Sequence, residues 1–171
     1  MKKKMLFFVN PNAGHAAIRS SLMDVLQIFS AGGYDVTVHP TTGPKNLTHE
    51  IVSRGAQFDL IVCTGGDGTL NEAVSGLMQL PEEIRPPLGY IPSGTVNDVA
   101  FTLGLSLNPI EAAKPSSRGG NLPSTSVRLG QTDGSPMWRP LGCSPTCRMR
   151  RRRLTSVRSE GLRICWPVCV R

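Results

Sequence analysis

Residues 59 to 72 read DLIVCTGGDGTLNE: an apolar run, then three glycines set around one carboxylate, then polar residues that open a helical pattern. Asp59 to Thr64 reads as a strand and Leu70 to Leu80 as a helix, so Gly65 to Thr69 lies at the mouth of that helix. Glycines let backbone N–H groups converge on an anion, and the free amides of a helix N-terminus add positive potential. A carboxylate among phosphates would repel them unless Mg²⁺ or ordered water stood between. Asp67 is therefore the candidate organiser of a metal and phosphate shell, with Gly65, Gly66 and Gly68 as its backbone cradle and Asn71 just inside the helix. Thr69 and Glu72, three residues apart, also fit a capping box, so each has an architectural reading beside the functional one.

Outward from this segment, short apolar runs alternate with helical patterns. Met5 to Val9, Tyr34 to His39 and Leu88 to Ile91 read as further strands. Ile18, Leu22, Val25, Leu26 and Phe29 form one stripe of an amphipathic helix that stops at Gly32-Gly33. Pro44 to Ala56 and Thr95 to Leu103 complete the alternation. Strands spaced by helices in this way imply an α/β fold with a parallel sheet covered on both faces, whose ligands collect at the carboxyl ends of the strands.

The loops at those ends share a design. Pro92-Ser93-Gly94-Thr95-Val96-Asn97-Asp98 repeats the glycine turn into a helix, and Thr95 to Asp98 repeats the capping-box spacing. Capping explains either loop singly, but a shared phosphate site explains why glycine, hydroxyl and carboxylate recur after neighbouring strands. On that reading Gly94, Thr95, Asn97 and Asp98 join the candidate site. Asn10-Pro11-Asn12-Ala13-Gly14 and Thr41-Thr42-Gly43 follow the other two strands, and each is by default an ordinary turn. Neither a G-x-x-x-x-G-K-[S/T] loop nor a G-x-G-x-x-G loop is present. His15, His39 and His49 lack the spacing of metal ligands.

Composition divides the chain. Residues 1 to 114 hold 8 Lys and Arg against 10 Asp and Glu, a balance of −2, whereas residues 115 to 171 hold 11 against 2, a balance of +9. Cysteine divides likewise, with Cys63 alone in the first part and Cys143, Cys147, Cys165 and Cys169 in the second. The body has no disulfide framework, the apolar run after Lys2-Lys3-Lys4 is too short for an export signal, and no stretch reaches membrane-spanning length. A cytoplasmic protein is expected, one that visits the inner membrane surface if its substrate is a lipid.

The N-P-x-x-G, G-G-D-G-T-x-N-E and P-x-G-T-x-N-D series over residues 4 to 114 resembles the bacterial diacylglycerol kinases and related lipid kinases. The G-G-D-G-T loop by itself is shared with NAD kinases, so a NAD kinase relative stays the alternative. The resemblance implies an ATP site built from Asn10, Thr41, the Gly65 to Asn71 loop and Thr95, in which a lipid hydroxyl attacks the γ-phosphate. It implies Mg²⁺, a diacylglycerol-like substrate, transient contact with a membrane surface and no specific nucleic-acid partner; a homodimer stays open. It also implies a second, β-rich domain carrying the general base and further Mg²⁺ ligands. Without that domain, nucleotide binding with little or no turnover is expected.

Asn108-Pro109-Ile110-Glu111 opens a helix with a capping Asn, Pro in the first turn and Glu three residues on, yet Pro115 to Gly120 destroys it at once. Shifting the reading frame by one base, with synonymous codons chosen freely, allows Lys114 to Gly119 to be reread as A-I-I-E-G. The same offset yields family-like apolar segments through the tail. Residues 115 to 171 are thus expected to be a frameshifted, basic and largely disordered tail. On this reading Cys143-x-x-x-Cys147, Cys165-x-x-x-Cys169 and the Arg150 to Arg153 run are not a zinc or nucleic-acid module, since the cysteine spacing is unusual for zinc and aromatic interleaving is nearly absent.

Overall fold

The computed structural model describes residues 2–11, 17–115, 123, 125–132, 135–140, 150–151 and 167–168. Lys3–Val9 (β1), Tyr34–Pro40 (β2), Leu60–Gly65 (β3) and Leu88–Pro92 (β4) run parallel in one sheet, with Leu6 beside Ile61 and Cys63 beside Tyr90 in the register. Ser126–Thr132 (β5) and Ser135–Pro140 (β6) extend the sheet antiparallel beyond β4, giving the order β2-β1-β3-β4-β5-β6. Ala17–Ala31 (α1), Asn46–Arg54 (α2), Asp67–Met78 (α3), Asp98–Leu103 (α4) and Pro109–Ala113 (α5) supply the covering layers. Because β1 to β4 point the same way, the loops that follow them share one edge.

Period-two alternation divides the strands between two cores. Leu6, Phe8, Ile61, Cys63, Leu88 and Tyr90 face Leu47 and Ile51 of α2 and Leu70, Ala73, Val74 and Leu77 of α3. Met5, Phe7, Leu60, Val62 and Ile91 face Ile18, Val25 and Phe29 of α1 and Ala112 and Ala113 of α5. Full burial of a large apolar side chain contributes about 1.5–3 kcal/mol. The stripe expected on α1 is the one that packs, with Phe29 meeting Phe7 edge to face at 5.4 Å. α2 and α3 approach closely because residue 76 is glycine. A Cβ there would lie 2.9 Å from Cβ of Ile51 and 3.1 Å from the carbonyl of Thr48, and Thr48 Oγ1 donates to the carbonyl of Glu72 at 2.9 Å.

α5 begins as its sequence suggests. The Asn108 side chain accepts from the amides of Ile110 and Glu111 at 2.9 and 3.4 Å, and the helix closes after Ala113 as Lys114 turns extended. The expected disorder of residues 115 to 171 falls mainly outside the described residues. Where the backbone there is described, β5 and β6 form strands, and Arg150–Arg151 (β7) pairs with Pro167–Val168 (β8). Cys143, Cys147, Cys165, Cys169, Arg152 and Arg153 lie outside the described residues.

Burial pushes the Cys63 thiol up to about 12. The folded protein keeps that proton when the unfolded chain has lost it, so the thiol's contribution is complete below the ordinary thiol range and disappears as pH rises toward 12. Tyr34 is raised as well, by burial and then by Asp59. Urea unfolding at about pH 8 and about pH 10 should show stability falling with pH as the unfolded Cys63 thiol ionises, by up to about 1.4 kcal/mol per pH unit, whereas Tyr34 begins to contribute only above the ordinary phenol range. Cys63→Ala should be less stable at the lower pH yet show a shallower decline; an unchanged slope would contradict this account.

Candidate functional site

The chain leaves β3 through Gly65 and enters α3 with Gly66 as the N-cap, its backbone extended at φ −90° and ψ −171°. α3 starts at Asp67 rather than at Leu70, because the Leu70 amide already reaches the carbonyl of Gly66 at 3.1 Å. Thr69 therefore lies inside the first turn and is not the cap, which removes the capping-box reading of Thr69 and Glu72. Its hydroxyl instead accepts from Asn10 Nδ2 at 3.2 Å and ties the loop after β1 to α3. The Thr69 side chain also lies where a Cβ on Gly65 would be.

The second glycine loop starts its helix later than the sequence suggests. α4 begins at Asp98 rather than Thr95, because Asn97 adopts the left-handed conformation at φ 56° and ψ 44°. Its side chain closes on Gly94 from both sides: Oδ1 accepts from the Gly94 amide at 2.9 Å and Nδ2 donates to the Gly94 carbonyl at 2.7 Å. Asn tolerates this conformation better than most residues. The Thr95 to Asp98 capping box is accordingly not formed. The opening amides of α4 donate instead to Asp67, Asp98 N to Oδ2 at 3.0 Å and Val99 N to Oδ1 at 3.2 Å.

Asp67 thus caps a helix in the neighbouring loop, and its carboxylate is turned toward α4. The two loops also touch through backbone, since a Cβ on Gly94 would run into Cα of Gly66. The Gly65 carbonyl accepts from Ser93 N at 2.8 Å and from the Tyr90 hydroxyl at 3.1 Å. Tyr90 belongs to this junction although its loop motif excludes it. The available signal was a phenol in an otherwise aliphatic strand, which needs a buried hydrogen-bond partner. Burial, with Cys63 and Asp67 nearby, pushes its hydroxyl further above the ordinary phenol range.

A cleft of about 340 Å³ opens at the carboxyl edge of the sheet, lined by Asn10, Thr41, Gly43, Pro44, Leu47, Gly68, Thr69 and Glu72. Five residues expected at the site therefore converge: Asn10, Thr41, Gly68, Thr69 and Glu72. Thr41 is held there by its amide, which donates to the carbonyl of Val9 at 2.9 Å. Gly65, Gly66, Asp67, Asn71, Gly94, Thr95, Asn97 and Asp98 are not among the lining residues. Of these, Gly65, Gly66, Asp67, Gly94, Asn97 and Asp98 build the junction behind it, Asn71 is half-buried on α3, and Thr95 is exposed. Asn12, Ala13 and Gly14 lie outside the described residues. Gly43, Pro44 and Leu47 were not singled out as site residues. They reach the cleft because left-handed Lys45, at φ 62°, delays α2 to Asn46 and leaves Pro44 in the lip.

Gly68 lines the cleft without an architectural need for glycine. It occupies the first turn of α3 with no positive φ, and a Cβ there would meet nothing within 4 Å. Neither strain nor packing requires glycine, which costs helix stability up to about 1 kcal/mol relative to alanine. What the absent side chain leaves open is the cleft wall.

α/β proteins with a parallel sheet and a glycine-rich strand-to-helix turn at its carboxyl edge are the class that this fold and cleft define. The diacylglycerol kinase catalytic domain family matches residues 4–128, and the chain belongs to that family. The diacylglycerol kinase of Bacillus subtilis (strain 168) is 39% identical over 136 residues, 78% of this chain and 43% of that protein. That of Staphylococcus saprophyticus is 34% identical over 113 residues, 66% of this chain and 36% of that protein. The crystal structure of a diacylglycerol kinase from Bacillus anthracis str. Sterne aligns with TM-score 0.59 at 38% identity, covering 66% of this chain and 39% of that one. The chain thus spans about two fifths of these relatives' length. No helix among the described residues is long and apolar enough to cross a membrane.

Two glycine replacements should behave oppositely. Gly94→Ala should destabilise the protein by about 1–3 kcal/mol through overpacking against Gly66. Gly68→Ala should be neutral or stabilising by up to about 1 kcal/mol. Chemical denaturation checks both, and a destabilised Gly68→Ala would mean that this glycine serves the fold.

Proposed function

We propose that this lobe binds MgATP in the cleft and presents its γ-phosphate to the hydroxyl of diacylglycerol or a related membrane lipid. The observation that carries the reading is Gly68, a glycine that the fold does not need, on the wall of a cleft at the mouth of α3. Bare backbone there admits phosphate oxygens to the amides of the helix opening, where positive potential gathers. Hydrogen bonds to charged oxygens contribute roughly 1.5–3 kcal/mol each, so a few of them, with Asn10 and Thr69, account for ordinary nucleotide affinity. Glu72 would repel phosphate, which favours phosphates toward Gly68 and a neutral donor, such as a sugar hydroxyl, toward Glu72.

No group of three or more His, Cys, Asp or Glu side chains among the described residues could hold a metal ion. Mg²⁺ does not require one, because it is commonly held by one or two carboxylates together with water and substrate phosphates. Asp67 suits that role through water, since each of its oxygens accepts one amide and keeps a further acceptor site. When bound there, the ion would neutralise charge on the transferred phosphate.

Family membership and the relatives' names support the lipid as acceptor, and we assign the lipid-binding surface and general base to the further length that those relatives have. Transient membrane contact follows from such a substrate. The composition change after Lys114 favours a shifted frame, which the coding sequence across codons 113 to 116 would test.

Calorimetry of the full chain should register MgATP binding, and Gly68→Ala should weaken it. In mixed micelles any transferred phosphate should appear on diacylglycerol. Phosphorylation of NAD alone would overturn the lipid reading, and folded protein with no heat at millimolar MgATP would overturn the nucleotide site.

A further inference from the structure

Resting on that nucleotide reading, we infer that Tyr90 is a positioning residue of the phosphate site, its hydroxyl holding the Gly65–Gly66 peptide so that the Gly66 amide faces the ligand. Tyr90 is 2% exposed, and its hydroxyl lies against two acceptors in different segments, the Gly65 carbonyl at the end of β3 at 3.1 Å and Asn97 Oδ1 at the opening of α4 at 3.5 Å. A trans peptide is planar, with its C=O and N–H pointing opposite ways. Along β3 the carbonyls alternate. That of Thr64 turns toward β1 and accepts from Asn10 N at 3.3 Å, while that of Gly65 turns toward β4, where Ser93 N and Tyr90 meet it.

The amide of Gly66 shares its peptide plane with the Gly65 carbonyl and so points toward the β1 side, where Asn10 lines the cleft. A Gly–Gly peptide has little intrinsic preference for one orientation, because neither residue has a Cβ to restrict its rotation. External hydrogen bonds must set it. One comes from the Ser93 backbone, which a substitution at Tyr90 leaves in place. Tyr90 supplies the other, and its second contact reaches the side chain that keeps Asn97 left-handed and Gly94 in place. One hydroxyl thereby joins the orientation of the first glycine turn to the geometry of the second.

The test uses the full chain and compares ATP, tripolyphosphate and adenosine, followed by amide NMR and titration calorimetry. Tyr90→Phe keeps the ring and removes the oxygen. ATP and tripolyphosphate affinity should fall by about tenfold, the loss of one aligned hydrogen-bond donor to a charged oxygen, while adenosine affinity stays within about twofold. A general loosening would lower all three alike. Cys63→Ala, which relaxes packing beside the Tyr90 ring but leaves its hydroxyl, should reduce stability without changing the ATP-to-adenosine ratio.

In the unsubstituted protein the Gly66 amide resonance should move with ATP and with tripolyphosphate but not with adenosine, a readout that survives even if Tyr90→Phe fails to fold. An unmoved Gly66 resonance at saturating ATP, or an unchanged ATP-to-adenosine ratio in folded Tyr90→Phe, would overturn the inference and leave the nucleotide site standing. Absence of ATP binding by the unsubstituted protein would overturn both.

Discussion

The contact on which the site depends is the one between Gly66 and Gly94, two backbones from successive βα loops held at a separation that no side chain permits. Once they meet, the other interactions have little freedom. The Gly65 carbonyl reaches Ser93 and Tyr90, Asn97 folds back on Gly94, and the Asp67 carboxylate accepts the first two amides of α4. A helix of six residues has little stability alone. α4 persists because an aspartate from another loop satisfies its opening donors and Ala100 is buried against the sheet.

Much of this was legible in sequence because period and punctuation agreed. Ile18, Val25 and Phe29 fell on one helical face and pack as that face; Met5 to Val9 and Leu60 to Cys63 were short apolar runs and are central strands. Asn108 and Pro109 announced α5, and the Asn108 side chain caps it. The convergence of Asn10, Thr41, Gly68, Thr69 and Glu72 followed from one topological rule, that loops after parallel strands share an edge.

What sequence misplaced were helix openings, and for one reason. A capping box is recognised by spacing within a segment, whereas these openings are satisfied from elsewhere. The Thr69 hydroxyl accepts from Asn10 Nδ2, 59 residues away, and α4 takes its cap from Asp67, 31 residues away. Left-handed Lys45 and Asn97 then postpone α2 and α4 beyond the points where their composition suggests a start. Tyr90 escaped notice for the same cause: its partner atom is a backbone carbonyl on another strand, and no local pattern records that.

Gly76 lies outside the cleft, yet it determines how near α2 comes to α3, and those helices carry Leu47 on one wall and Thr69 and Glu72 on the other. The pair behaves as calipers whose pivot is a missing methyl group. Breadth of the cleft is therefore inherited from a buried crossing rather than from its own lining, so a change at position 48, 51 or 76 would reset it while every lining residue stays the same.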